Sequence, residues 1–165
     1  MNEMWSRCGG ISLPSGRLSI SDSSFFHELA LVADLEPGTY DILGMRGGPG
    51  ADAIIQRIRA VRVGASGTRR GRLLGHVDLQ FSQLALADRV AAECAYQSLS
   101  DEEYDEFASL FSMDGLSKLI SFKDGTPMLL VKPGEGDLDP AVFELCDPDG
   151  SVGVELVCIE PEARR

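Results

Sequence analysis

The chain has two histidines, His27 and His76, and one of them stands two residues from an acid. His76-Val77-Asp78 puts imidazole and carboxylate on the same side of an extended strand, because side chains alternate along a strand. That pair serves as a general base if a nucleophile completes it, or as part of a metal site if further ligands do. The sequence supplies neither a placed Ser or Cys nor a ligand set. The plain reading is a surface or half-buried histidine. The chemical reading, a small-ligand or enzymatic site near His76 and Asp78, is kept as the second hypothesis.

Other stretches resemble sites less. Arg46-Gly47-Gly48-Pro49-Gly50 breaks the chain sharply, but no GxxxxGK[ST] or GxGxxG spacing is present to cradle phosphate, so a hairpin connection is expected. The loop containing Glu135, Asp137 and Asp139 lacks the DxDxDG spacing and closing Glu of a calcium loop. Cys8, Cys94, Cys146 and Cys158 form no CxxC pair and read as reduced thiols. No catalytic residue, metal or cofactor is assigned.

Charge is the more telling signal. Net charge is −11. Between Ala53 and Val77 lie six arginines (Arg57, Arg59, Arg62, Arg69, Arg70 and Arg72) and no acid, so the chain's −11 leaves −17 outside that stretch. Such a balance repels nucleic acid and anionic lipid and favours a cationic partner. The arginine stripe has little aromatic interleaving, so its expected partner is the protein's own acidic face or that of another protein. The acids of Asp101, Glu102, Asp105 and Glu106 read as a solvated helix face or, functionally, as a patch that docks a basic protein.

The elements that must position these residues are mostly strands. Ala141–Ile159 is the strongest hairpin, two β-rich runs around Asp147-Pro148-Asp149-Gly150, with Val152, Val154, Leu156 and Cys158 alternating along the second. Ile54–Val63 places Arg57, Arg59, Val61 and Val63 on one face, a mixture that suits an edge strand or a bulge. Arg72–Phe81 is expected to set Leu73, Gly75, Val77 and Leu79 on one face. Arg17–Ser21, Tyr40–Met45, Leu84–Ala87, Leu116–Phe122 and Met128–Val131 complete the strands, and Met1–Ser15 reads as an irregular entry. Ser23–Leu29 is either a helical turn capped by Asp22 or Ser23, or a loop. Two helices follow one another mid-chain. Arg89–Leu99 has Asp88 as N-cap and Val90, Ala91, Cys94 and Ala95 at helix spacing. Asp101–Phe111 opens with the capping box of Ser100 and Glu103.

The expected fold is α+β, mainly antiparallel β: a twisted sheet or two packed sheets with two adjacent helices inserted mid-chain, in one domain over residues 1–165. There is also a faint echo. Gly16–Asp22 resembles Ser82–Asp88, and Pro37-Gly38 followed by a hairpin resembles Pro133-Gly134 followed by another, which a weak internal duplication explains, as does chance in a Gly-rich β protein. No secretory signal or membrane-length apolar run is read, so a cytoplasmic location is the expectation.

The order SGRLSISD (Ser15–Asp22), PGTYDI (Pro37–Ile42) and IRAVRV (Ile58–Val63) resembles a bacterial family of unknown function, domain of unknown function 4241. The likeness covers about the first sixty-five residues; later, Gly75–Asp78 and Asp147–Gly150 match its segments only in part. The family carries no accepted catalytic residues, so the resemblance implies none here. In genre, small acidic proteins of this kind look like immunity partners of bacterial toxins. The first hypothesis is therefore a non-enzymatic bacterial interaction protein, a candidate immunity protein, monomer or homodimer. It would neutralise a toxin domain with a basic surface through Asp101, Glu102, Asp105, Glu106, Glu135, Asp137 and Asp139.

Overall fold

Asp147 closes the C-terminal hairpin with its own carboxylate. Its Oδ1 accepts from the backbone N–H of Asp149 at 2.8 Å and of Gly150 at 3.1 Å, and Gly150 takes φ 137°, where a side chain would be strained. The computed structural model describes residues 5–26, 28–47, 54–66, 69–80, 83–134 and 138–158.

Eleven described strands and two helices follow in the order β1 (Trp5–Leu13), β2 (Arg17–Asp22), β3 (Ala30–Asp34), β4 (Gly38–Gly47), β5 (Ile54–Arg62), β6 (Arg69–His76) and β7 (Leu84–Asp88), then α1 (Arg89–Gln97), α2 (Asp101–Ala108), β8 (Ser117–Ser121), β9 (Pro127–Val131), β10 (Ala141–Asp147) and β11 (Gly150–Val157). The strands form two sheets, one of six in the order β1-β4-β5-β11-β10-β6 and one of five in the order β3-β2-β7-β9-β8. Each strand pairing is antiparallel. The α+β reading of packed antiparallel sheets with two helices mid-chain is the observed architecture.

Alternation decides which residues meet between the sheets. Tyr40, Ile42, Ile58, Val142, Val154 and Leu156 of the larger sheet pack against Leu18, Ile20, Leu84, Leu86, Leu129 and Val131 of the smaller one. The far side of the smaller sheet is buried too. Ala85 and Ala87 are small enough for Ala92 and Ala95 of α1 to approach. Phe26, Phe107 and Phe122 fill the remaining space, with Phe107 and Phe122 stacked at 4.1 Å between ring centres.

The pairing pattern has an internal two-fold character. β2 and β7 lie side by side with Leu18 opposite Asp88, Ile20 opposite Leu86 and Asp22 opposite Leu84, so exchanging the strands leaves the register unchanged. β5 and β11 do the same around Arg59 and Glu155, with Arg57 opposite Val157 and Val61 opposite Gly153. Asp22 and Asp88 end their strands alike. Asp22 accepts from Ser24 N and caps a short 3-10 turn, Ser23–Phe25, while Asp88 accepts from Ala91 N and caps α1. The strand half of the echo, Gly16–Asp22 and Ser82–Asp88, thus corresponds to matched places in the smaller sheet.

Several expectations need correction. Residues 5–13 are not irregular: they form β1, an edge strand along β4 whose bulge between Arg7 and Gly9 breaks the alternation that would reveal it. β5 is not an edge strand, since it lies between β4 and β11, but it does carry the bulge that was the other expectation, at the register shift opposite Met45 and Arg46, and its arginines are accommodated by an acid across the sheet. In β6 a register shift around Phe143 turns Leu74 to the core and leaves Leu73 exposed. In α1 the buried face is Ala92 and Ala95, while Val90 and Cys94 are exposed. The helix rests on alanines because the strand beneath it is close.

Candidate functional site

Helix α2 begins at Ser100, whose Oγ accepts from Glu103 N at 3.2 Å while Glu103 Oε1 accepts from Ser100 N at 3.2 Å, the reciprocal cap expected from the sequence. Glu103 also pairs with Lys123, and that hydrogen bond, with those from Ser100, holds its carboxyl below the usual range. Glu103 is therefore committed locally. Asp101, Glu102, Asp105 and Glu106 are exposed and make no ion pair among the described residues. Beside them runs an open groove of about 470 Å³. Leu99, Phe107 and Leu110 give it an apolar lining, and Glu103, Glu106, Ser121 and Lys123 its polar edge.

The remaining acids of the predicted surface lie elsewhere. Glu135 and Asp137 fall outside the described residues. Asp139 belongs to the segment leading into β10, and its Oδ2 stands 3.6 Å from His76 Nδ1. Among the described residues, nothing joins Asp139 to α2. Asp78, the predicted companion of His76, instead accepts from Gln80 Nε2 at 3.4 Å. His76 is open to solvent, its side chain 53% exposed. His27 also lies outside the described residues.

The structure builds a second cluster, on the opposite outer face, that of the six-stranded sheet. Register places Leu43, Arg59, Glu155 and Phe143 in one row across β4, β5, β11 and β10. Glu155 is only 1% exposed. Arg59 Nε donates to its Oε2 at 2.7 Å, and Arg70 donates to Oε1 through Nη2 at 2.6 Å and Nε at 3.2 Å. Arg57 Nη1 approaches the same Oε1 to 3.5 Å. Trp5 lies over Arg59 at 4.2 Å and over Arg57 at 5.3 Å, and Arg70 lies over Phe143 at 4.7 Å. Burial would raise the Glu155 carboxyl, but the hydrogen bonds from Arg70 and Arg59 and their charges outweigh it, so the group stays ionised below the usual range.

Other stripe arginines are paired within the chain as well, Arg62 with Glu36 and Arg72 with Glu144 at 3.2 Å. The sequence reading assigned the stripe an acidic partner but did not single out Glu155. A signal was present: Glu155 is the one acid between Val152 and Ile159, in a run otherwise fit for a core. Cys158, which ends that run, is an inert thiol, its pKa pushed up to about 12 by burial.

No family model, no curated protein and no solved structure matches the chain.

Proposed function

We propose that this protein is a non-enzymatic bacterial interaction protein, a candidate immunity protein that binds a basic domain of a cognate toxin in the cytoplasm. The observation that carries the reading is the set of α2 acids Asp101, Glu102, Asp105 and Glu106, exposed and without an ion pair among the described residues, beside an open groove with an apolar lining. Such a surface suits a partner segment with basic residues around an apolar anchor. The anchor supplies buried area, while the acids speed encounter and exclude acidic competitors. The net charge of −11 supports the same preference. His76 and Asp78, open to solvent and turned to different neighbours, offer less support for a catalytic reading.

The test begins with the gene neighbourhood, where a large secreted toxin encoded next door is expected. Binding of that toxin domain is then measured calorimetrically over a salt series, for the natural protein and for a variant carrying D101K, E102K, D105K and E106K. The expected result is an affinity loss of about a hundredfold with a flatter salt dependence. An unchanged affinity removes the proposal.

A further inference from the structure

The arginine cluster of the six-stranded sheet points to a ligand that the α2 reading does not use. Arg70 presents one edge of its guanidinium, Nε and Nη2, to the Glu155 carboxylate. Its end edge, formed by Nη1 and the outer hydrogen of Nη2, makes no hydrogen bond among the described residues, and the side chain is 41% exposed. Arg59 uses Nε on the other carboxylate oxygen and is 12% exposed. Glu155 therefore holds two guanidiniums in fixed orientation from behind, and Phe143 and Trp5 hold them flat. A buried acceptor that orients an arginine fork in this way leaves the adjacent end edge prepared for two oxygens of an incoming anion.

The charge count agrees. Even with Arg57 set aside, Arg59 and Arg70 outnumber the single carboxylate they share. Their mutual repulsion is little screened on a face where Glu155 and Arg59 are nearly sealed from water. A second anion relieves that repulsion. In a chain of net charge −11 this is a local reversal of sign, so the preference belongs to the site rather than to the protein's overall field.

We infer that Arg70 and Arg59, braced by Glu155, form a binding site for the phosphate group of a small molecule on the outer face of the six-stranded sheet. A tetrahedral oxyanion presents two oxygens to the Arg70 end edge and a third toward Arg59. The site is independent of the acidic surface on α2, and either stands if the other fails.

The experiment is a titration of the purified protein with inorganic phosphate, and separately with glycerol phosphate, at ionic strength held constant with chloride, read by thermal unfolding and calorimetry. A saturable rise in Tm is expected for the natural protein, with at least tenfold weaker binding in Arg70→Met, whose half-exposed side chain is replaceable without unfolding the sheet. Glu155→Gln provides the second readout: it is expected to unfold at lower temperature and to recover part of the loss when phosphate is added. Equal response to the two ligands assigns recognition to the phosphate group alone, and a stronger response to glycerol phosphate assigns part of it to the flanking aromatic surface. An absent response, an equal response to acetate, or a response unchanged in Arg70→Met overturns the inference and leaves the cluster a structural ion network.

Discussion

The two outer faces of this pair of sheets are closed in opposite ways. On the five-stranded sheet, Ala92 and Ala95 of α1 and Phe107 of α2, with Phe26 and Phe122, lie over Ala85, Ala87 and Met128, and dispersion with hydrophobic burial seals the layer. On the six-stranded sheet the seal over Glu155 is made, among the described residues, by arginine stems, their guanidiniums and Trp5. Long charged side chains cover surface as readily as apolar ones when their heads find partners. The difference is in what each layer tolerates. An apolar seal is indifferent to salt and pH. An ionic seal depends on one ionised carboxylate.

The largest expected effect comes from breaking one seal at a time. Phe107→Ala removes a ring that stacks on Phe122 and meets Phe26 and Phe111 edge-on, and is expected to cost about 3–5 kcal/mol in urea unfolding, equally at low and high salt. Glu155→Ala strands Arg59 without its partner and is expected to cost about 3 kcal/mol, at the low end for a buried pair because Arg70 reaches solvent. High salt trims that cost modestly, through the half-exposed Arg70. Equal salt dependence for the two variants would remove the distinction between the faces.

Acid sharpens the same comparison. The Glu155 carboxyl ionises below its unfolded value, so its stabilising contribution is complete above about pH 4.3 and is lost as pH falls toward the folded value. The stability gap between the natural protein and Glu155→Ala is therefore expected to narrow below about pH 4.3, while the gap to Phe107→Ala stays constant. Unfolding curves at pH 6, 4 and 3 measure both.

The smallest effect concerns the paired caps. Asp88 caps α1 and also accepts from Ser15 N at 2.9 Å and Ser15 Oγ at 2.7 Å. Asp22 caps the short turn after β2. Asp88→Ala is expected to cost about 2 kcal/mol and Asp22→Ala about 1 kcal/mol in the same unfolding assay. The reverse order would show that the two matched positions are not differentiated by what they cap.

Much of this was legible locally. The Asp147–Gly150 turn, the Ser100 and Glu103 cap and the Asp88 cap are contests between near neighbours, and residue type settles them. What misled was alternation interrupted by bulges: β1 hides its strand character at Cys8, and β6 exchanges Leu73 for Leu74. The candidate surfaces divide the same way. Asp101, Glu102, Asp105 and Glu106 share a helix and stay together. Asp139 lies far along the chain and ends beside His76 instead.

The sequence by itself determined the antiparallel character, the two helices, their caps and the separation of a basic stripe from acidic surroundings, because each depends on spacing within a few residues. Only the tertiary structure decided that β5 meets β11, and with that contact came Glu155 beneath Arg59 and Arg70. Gly153 permits the meeting, since a Cβ there would stand 1.8 Å from the Ala60 carbonyl oxygen. Pairing between strands so distant in the chain is chosen by the fit of whole faces, and no local window of residues contains that information.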